Sequence, residues 1–142
     1  MLGTARSDDG TPIAYEVRGD DSPALVFVHG WSCDRGYWKH QLPLAERHRV
    51  VTIDLAGHGD GALSEAAHSL SNMAPLLEHM PQLTAPIAAI NFEWRPTDVE
   101  SLARRGIRTT LMPGLGHFGM MEDPDRFNQQ LEETVESFAV RA

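Results

Sequence analysis

The chain has 142 residues, of which 42% are hydrophobic and 23% charged, the composition of an ordinary globular protein rather than of a fibre or a disordered chain. Twenty acidic residues against twelve basic ones give a formal net charge of −8, which disfavours a nucleic-acid partner because such a field repels phosphate backbones. No apolar stretch reaches the roughly 18 residues of a membrane-spanning helix, and the first ten residues lack the apolar core of a signal peptide. We therefore expect a single cytoplasmic domain over residues 1–142, without a membrane partner.

The first half of the chain predicts a strand, helix, strand order. Residues 11–18 alternate partly between apolar and polar types and predict an antiparallel edge strand. The apolar run Ala24–Val28 predicts the first central strand, buried on both faces. Residues 37–45 favour a helix broken or capped near Pro43, and Arg49–Asp54 predicts a second buried strand. Two strands joined by a helix indicate a parallel pair.

The second half continues the alternation after a glycine-rich loop at 55–61. An amphipathic helix is predicted at 64–80, with Pro75 as a site for a kink, and another buried strand at 86–91. The last predicted elements are a helix at 97–105 with Thr97 as its N-cap, a strand at 107–112, a loop at 114–118 and a helix at 125–140. This order predicts an α/β fold.

Three sequence runs carry a resemblance to a known family. VFVHGW at 26–31 and VTIDLAGHG at 51–59 are similar to the N-terminal third of α/β-hydrolases of the esterase, haloperoxidase and dehalogenase type. LMPGLGHF at 111–118 resembles the last strand and the histidine loop of that family, and the residues after it resemble its closing helix. The resemblance implies a small three-layer α/β domain with a mostly parallel sheet, derived from the α/β-hydrolase fold.

The segment that the family places between these runs is missing here. It normally holds a strand, the nucleophile elbow with its Gly-x-Ser-x-Gly motif, a helix, a further strand and a lid. The chain therefore looks internally shortened, by natural truncation or by engineering. Either the strand at 86–91 pairs with the strand Ala24–Val28, or two sheet edges remain exposed, and exposed edges recruit partner chains. We expect a homodimer or a domain-swapped oligomer.

The resemblance makes His117 the general base, because it follows a strand end in a glycine-rich loop. A histidine in a surface loop without a catalytic role is the alternative. For the acid that orients His117, the family pattern leads to the residues after the 86–91 strand, where Glu93 and Asp98 stand. Each has a simpler interpretation: Asp98 as a carboxylate favoured by the first turn of a helix, and Glu93 as a solvated loop charge.

The oxyanion hole implied by the resemblance consists of two backbone N–H groups. One belongs to Trp31, the residue after His-Gly, and the other to the residue after the nucleophile. The run AHSLS at 67–71 echoes the family's nucleophile motif and makes Ser69 the candidate nucleophile, with the Leu70 N–H as the second donor. The alternative is that Ser69 is an ordinary helix residue, because no predicted strand leads into it.

Two other sites are less well supported. Ser32 and Cys33 lie on the oxyanion loop without a following glycine, which makes either a weaker nucleophile candidate than Ser69. A metal site would draw on polar residues at strand ends, but no paired spacing typical of metal ligands supports it, so we expect neither a metal nor another cofactor. The residues concerned are His29, Asp54, His58 and His117.

The sequence thus predicts a weak serine-type hydrolase, carboxylesterase-like, that acts on small acyl esters. The alternative is a catalytically inactive α/β-hydrolase remnant, or a minimal scaffold, that folds and oligomerises. The substrate stays unassigned, because in the family specificity resides largely in the lid.

Overall fold

The computed structural model describes residues 1–7, 10–30, 32–61, 86–92 and 97–139. The chain divides into two compact units, Met1–Pro81 and Gln82–Ala142. That the whole chain is one domain stays a prediction. The helix predicted at 64–80, with Pro75, lies outside the described residues.

The described part of the first unit contains one four-stranded sheet. Its strands are β1 (Leu2–Arg6), β2 (Pro12–Arg18), β3 (Ala24–Val28) and β4 (Arg49–Asp54). They lie in the order β1-β2-β4-β3, with β2 antiparallel to both of its neighbours and β3 parallel to β4. The bounds predicted for β3 and β4 are confirmed, and so is their parallel pairing.

Two predictions about these strands are wrong: the edge position of the strand at 11–18 and the burial of β3 on both faces. The strand at 11–18 is not an edge strand, because β1 forms outside it and pairs along its full length. Within the described residues, β3 is the last strand in the order of this sheet. Its apolar run is also not buried on both faces, since Val26 and Val28 are 60% and 50% exposed, whereas Leu25 and Phe27 point into the core. An apolar run alone does not reveal which face another layer covers.

The connection from β3 to β4 consists of two 3₁₀ segments rather than the single helix predicted at 37–45. These segments are Arg35–Trp38 and Leu42–Glu46. Pro43 lies in the first turn of the second segment, where its missing N–H costs nothing but where it prevents one continuous helix. The indole ring of Trp38 packs on Phe27 with 5.1 Å between ring centroids, which anchors the connection to β3.

The described part of the second unit contains a parallel pair of strands with helices after each. The elements are β5 (Ala88–Asn91), α1 (Val99–Arg104), β6 (Arg108–Leu111), α2 (Gly119–Glu122) and α3 (Pro124–Ala139). Four of the five were predicted within a few residues, and the short helix α2 was not. The core here includes Met112 and Phe127, and the Phe127 ring lies 5.7 Å from that of Phe92.

The N-cap of α1 is Asp98 and not Thr97 as predicted. The Asp98 carboxylate accepts a hydrogen bond of 2.8 Å from the backbone N–H of Ser101. This is the usual N-cap geometry, in which a side-chain oxygen satisfies a free N–H of the first turn.

Within the described residues, the four strands of the first unit form one sheet and the two strands of the second unit form another. The fold is a small α/β fold with mixed strand directions, in which two of the four described strand pairs are parallel. Among the described residues, no helix has the length and apolar character needed to cross a membrane.

Candidate active site

A buried histidine begins the loop that follows β3. His29 is only 4% exposed, and its Nε2 accepts a hydrogen bond of 3.0 Å from the backbone N–H of Leu55, which follows β4. Its Nδ1 lies 2.8 Å from the carbonyl oxygen of Gly30. A ring nitrogen that accepts carries no proton, so the proton of the neutral ring sits on Nδ1 and is donated to Gly30.

A second histidine makes the same pair of bonds in the opposite direction. The Nε2 of His58, in the loop after β4, faces the backbone N–H of Ser32 at 3.3 Å, and its Nδ1 lies 3.1 Å from the carbonyl oxygen of Ala56. The centroid of the His58 ring is 5.1 Å from that of His29. The loop after β3 and the loop after β4 therefore each supply an acceptor for the other. We call these two hydrogen bonds between the loops the histidine brace, a term that here denotes no metal site.

The braced loop after β3 contains a strained residue. Ser32 has φ = 60°, a left-handed conformation that non-glycine residues adopt only where their surroundings enforce it. A turn closes around it through a hydrogen bond of 3.3 Å from the Cys33 N–H to the Gly30 carbonyl. Trp31, the predicted oxyanion donor, lies outside the described residues, so its role stays a prediction.

A buried carboxylate holds the far ends of the same two loops. Asp54 ends β4 at 1% exposure and accepts the backbone N–H of Arg35 at 2.7 Å and that of Asp60 at 3.0 Å. The Arg35 guanidinium forms an ion pair with Asp54 and a second one, of 2.6 Å, with Asp60. The hydrogen bond to Asp60 and the charges of both carboxylates raise the pKa of Arg35 further above its usual range.

A glycine makes room for this carboxylate. Gly59 has φ = 49°, and a Cβ at this position would lie 2.5 Å from the Asp54 carboxylate. Only a glycine meets both the conformational and the steric requirement here. The glycines of the 55–61 loop were predicted to mark a turn, and Gly59 in addition leaves the space that Asp54 fills.

These contacts bear on the metal alternative. The two histidines of the brace, His29 and His58, are bonded to backbone groups through both ring nitrogens, and Asp54 is paired with Arg35. Within the part of the chain that the structure describes, no three His, Cys, Asp or Glu side chains are grouped so that they could hold a metal ion.

His117 lies in the second unit, in the loop after β6, and is exposed. Its ring meets the Phe118 ring edge-on at 4.7 Å. Side chains of the following helices hold the loop: the Glu122 carboxylate accepts the Gly116 N–H at 2.8 Å, and the Arg126 guanidinium donates to the Pro113 carbonyl at 3.2 Å. Sequence reasoning did not predict these roles of Glu122 and Arg126.

Of the two candidate acids, the structure describes only Asp98. Asp98 follows β5 and His117 follows β6. Because these strands are parallel, both residues come after the carboxyl ends of the strands, at the same end of the two-stranded sheet. Asp98 is engaged as the N-cap of α1, in agreement with its simpler interpretation as a carboxylate of the first helical turn. Glu93 lies outside the described residues, as do Ser69 and Leu70.

A groove of about 650 Å³ lies along β6, between α1 and α3. Its lining includes Arg108, Thr109 and Thr110 of β6 but neither Asp98 nor His117. Arg108 donates to the Ser137 hydroxyl at 2.6 Å and stacks over Phe138, so its charge is already engaged.

A solved structure with a similar fold covers almost the whole chain. A predicted CIB-like hydrolase from Thermoplasma acidophilum matches with a TM-score of 0.69, over 96% of this chain and 99% of that one, at 14% identity. At such low identity the likeness concerns the fold alone.

Comparison with curated proteins gives partial matches to larger relatives. A pimeloyl-(acyl-carrier protein) methyl ester esterase from Methylococcus capsulatus is 29% identical over 130 residues, which is 82% of this chain and 51% of the relative. The dihydrolipoyllysine-residue acetyltransferase component of the acetoin cleaving system from Cupriavidus necator is 36% identical over 67 residues, 46% of this chain and 18% of the relative. The chain thus spans about half or less of the length of these relatives.

The family model described as the alpha/beta hydrolase family matches residues 25–99. That range contains β3 except for its first residue, Ala24, all of β4 and both loops of the histidine brace, and it amounts to more than half of the 142 residues. The chain belongs to the α/β-hydrolase family.

Proposed function

We propose that the chain is a serine-type hydrolase of the carboxylesterase kind, acting on esters of small acyl groups. Membership of the α/β-hydrolase family supports hydrolysis. Relatives named as methyl ester esterases favour an ester substrate over an amide or an epoxide.

In the proposed mechanism the Ser69 hydroxyl attacks the ester carbonyl carbon while His117 takes its proton. The oxyanion that forms receives hydrogen bonds from the backbone N–H groups of Trp31 and Leu70. Collapse of this intermediate breaks the C–O bond, and the proton on His117 passes to the leaving alcohol. Water then repeats the attack on the acyl-serine, again with His117 as base, which releases the acid and restores the enzyme.

The observation that carries this proposal is the braced loop after β3. A strained loop that is tied to its neighbour by two imidazoles and to Asp54 by a backbone N–H is costly to maintain without a use for its shape. An oxyanion hole requires such a fixed backbone, because its donors must point at the developing charge before the reaction begins.

The test is labelling of the purified protein with a fluorophosphonate, which reacts covalently with activated serines, followed by peptide mapping. We expect stoichiometric labelling at Ser69, lost in Ser69→Ala and in His117→Ala and kept in the control Ser71→Ala. A folded protein that takes up no label would contradict the proposal, and a label on another serine would contradict the assignment of Ser69.

The orienting acid is decided by substitutions that preserve the helix cap. Asp98→Asn keeps a side-chain oxygen at the N-cap but cannot stabilise a charged imidazole. If Asp98 orients His117, labelling slows at least tenfold in Asp98→Asn, since loss of the triad aspartate elsewhere costs up to about 10⁴-fold. If Glu93 does so, the same loss occurs in Glu93→Gln, and Asp98→Asn labels like the wild type.

The alternative function is an inactive scaffold that oligomerises. Its support is the position of β3 at the end of the described sheet, together with the exposure of Val26 and Val28. In this case sedimentation velocity shows a dimer or a domain-swapped oligomer that Val26→Lys dissociates, and the protein takes up no label. A monomer at all concentrations would exclude it.

A further inference from the structure

The histidine brace uses one specific tautomer twice. Both His29 and His58 hold their proton on Nδ1, donate it to a carbonyl within their own loop, and accept an N–H of the opposite loop through Nε2. Each ring is thus attached to its own loop at one nitrogen and reaches across with the other. The bonds across the loops join residues that are 26 positions apart in the chain.

We propose that His58, supported by His29, is a positioning residue that holds the loop after β3 in its active shape, and that it does so only as a neutral imidazole. The Ser32 N–H that His58 accepts is adjacent to the peptide that bears the Trp31 N–H. The catalytic part of this inference rests on the proposed function, which assigns Trp31 to the oxyanion hole. The brace itself does not.

The strained backbone at Ser32 is the reason that this bond matters. A non-glycine residue at φ = 60° relaxes to a negative φ unless contacts prevent it. The described contacts that hold this turn are the Ser32 N–H to His58 bond and the Cys33 N–H to Gly30 bond. Losing the first removes the described hydrogen bond of the Ser32 backbone itself and leaves the 3.3 Å turn bond beside it.

Protonation of the imidazoles breaks the brace. A protonated ring carries N–H groups on both nitrogens, so Nε2 becomes a donor and faces the backbone N–H that it accepted before. Other charges near the brace are already engaged: Asp54 and Asp60 with Arg35, and Asp34 with the Gly36 N–H. The described ionisable groups on the loops and the 3₁₀ segment that adjoin the two rings are Cys33, Asp34, Arg35, Tyr37, Asp54 and Asp60.

Two variants of His58 separate its role as an acceptor from its titration. His58→Gln offers an amide oxygen near the position of Nε2 and does not titrate, whereas His58→Leu has a similar volume and no acceptor. His40→Gln serves as the matched control, because His40 lies outside both braced loops. We expect His58→Gln to keep the hydrogen bond to the Ser32 N–H when the pH falls, and His58→Leu to lack this bond at every pH.

The first readout is NMR and needs no activity. In the wild type, long-range imidazole ¹⁵N spectra are expected to show His29 and His58 protonated on Nδ1 at neutral pH. The amide resonance of Ser32 is expected to shift on acidification together with the titration of His58, to stay in place in His58→Gln, and to start from a displaced position in His58→Leu. A proton on Nε2 of neutral His58 would overturn the inference. So would a Ser32 amide resonance that changes neither with pH nor in His58→Leu.

The second readout is the rate of fluorophosphonate labelling. Removal of an oxyanion donor costs about 100- to 1,000-fold in rate, so a displaced donor in His58→Leu is expected to slow labelling by tenfold or more. In His58→Gln the rate is expected to remain close to that of the wild type at neutral pH and to fall less steeply on acidification, because the acceptor at position 58 no longer takes up a proton.

The two readouts distinguish the failure of this inference from that of the proposed function. If the Ser32 amide resonance shifts with the protonation of His58 but neither the wild type nor any variant takes up label, the brace is supported and the serine-hydrolase proposal fails. If the wild type labels and His58→Leu labels equally fast with an unchanged Ser32 amide, the hydrolase proposal stands and His58 is not a positioning residue.

Discussion

The braced loops after β3 and β4 and the histidine loop after β6 are built in opposite ways. In the first region polar groups are buried and satisfy one another: Asp54 is 1% exposed and His29 4%. In the second region the important residue, His117, is exposed, and the loop is held from outside by Glu122 and Arg126. Under the proposed function this difference matches two requirements of a catalytic site, since an oxyanion hole needs a fixed backbone whereas a general base needs access to substrate and water.

The two regions also differ in how much stability is lost when a hydrogen-bonding partner is removed. A buried polar group that loses its partner keeps its full cost of desolvation, whereas an exposed one regains water. Substitutions in the braced loops are therefore expected to reduce stability strongly, and substitutions around the His117 loop are expected to reduce it little while changing reactivity.

The largest effect is expected from Asp54→Ala. It leaves the Arg35 guanidinium without its buried partner and the backbone N–H groups of Arg35 and Asp60 without an acceptor. Breaking a buried pair in this way costs about 3–5 kcal/mol, which urea unfolding followed by circular dichroism measures. The control is Asp20→Ala at an exposed position, where no measurable change is expected. Equal losses in the two variants would mean that Asp54 does not hold the loops.

A smaller loss is expected from Gly59→Ala. A left-handed alanine costs about 1–2 kcal/mol, and crowding against the Asp54 carboxylate at 2.5 Å adds about 1–3 kcal/mol. Gly10→Ala isolates the first contribution, because Gly10 also has a positive φ, of 84°, but has open space at its Cβ. The difference between the two unfolding free energies measures the steric part, and a difference of zero would contradict the close approach of Asp54.

The smallest effect on stability is expected from Glu122→Ala. Its carboxylate holds one exposed N–H, that of Gly116, and a bond of this kind contributes about 0.5–1.5 kcal/mol. Hydrogen exchange at Gly116 and the labelling rate are expected to change more visibly than the unfolding free energy. Glu100→Ala, which removes only a surface pair of 3.7 Å with Arg104, is the control and is expected to change none of the three. If Glu122→Ala lowered the free energy of unfolding as much as Asp54→Ala does, the two regions would not differ in the way described.

The strands that carry these loops were predictable because their signals are local. Both β3 and β4 are short apolar runs between turn-forming residues, and their bounds agree with the prediction. The strand β1 was missed because its five residues, LGTAR, include a glycine and an arginine and do not alternate clearly. Its presence is what turns the predicted edge strand β2 into an internal one. Strand neighbours depend on tertiary pairing, which a local pattern does not contain.

The residues of the candidate site were predictable only where they lie in a motif that resembles the family. His117 and the His29-Gly30 turn were found through runs that resemble the family, whereas the bonding of His58 was not. Which backbone N–H a ring nitrogen accepts depends on contacts between loops 26 residues apart. For Asp54 a signal existed: a carboxylate that directly ends a buried strand, with glycines a few residues later, indicates a buried acceptor with space made for it.

The reciprocal form of the histidine brace has a consequence for how the native state opens. Because each loop supplies the acceptor for the other, a fluctuation that releases either loop breaks both bonds across the pair. The amides of Ser32 and Leu55, though they follow different strands, are therefore expected to exchange with solvent deuterium through one shared opening with one free energy. Two loops that are distant in the chain would then belong to a single cooperative unit.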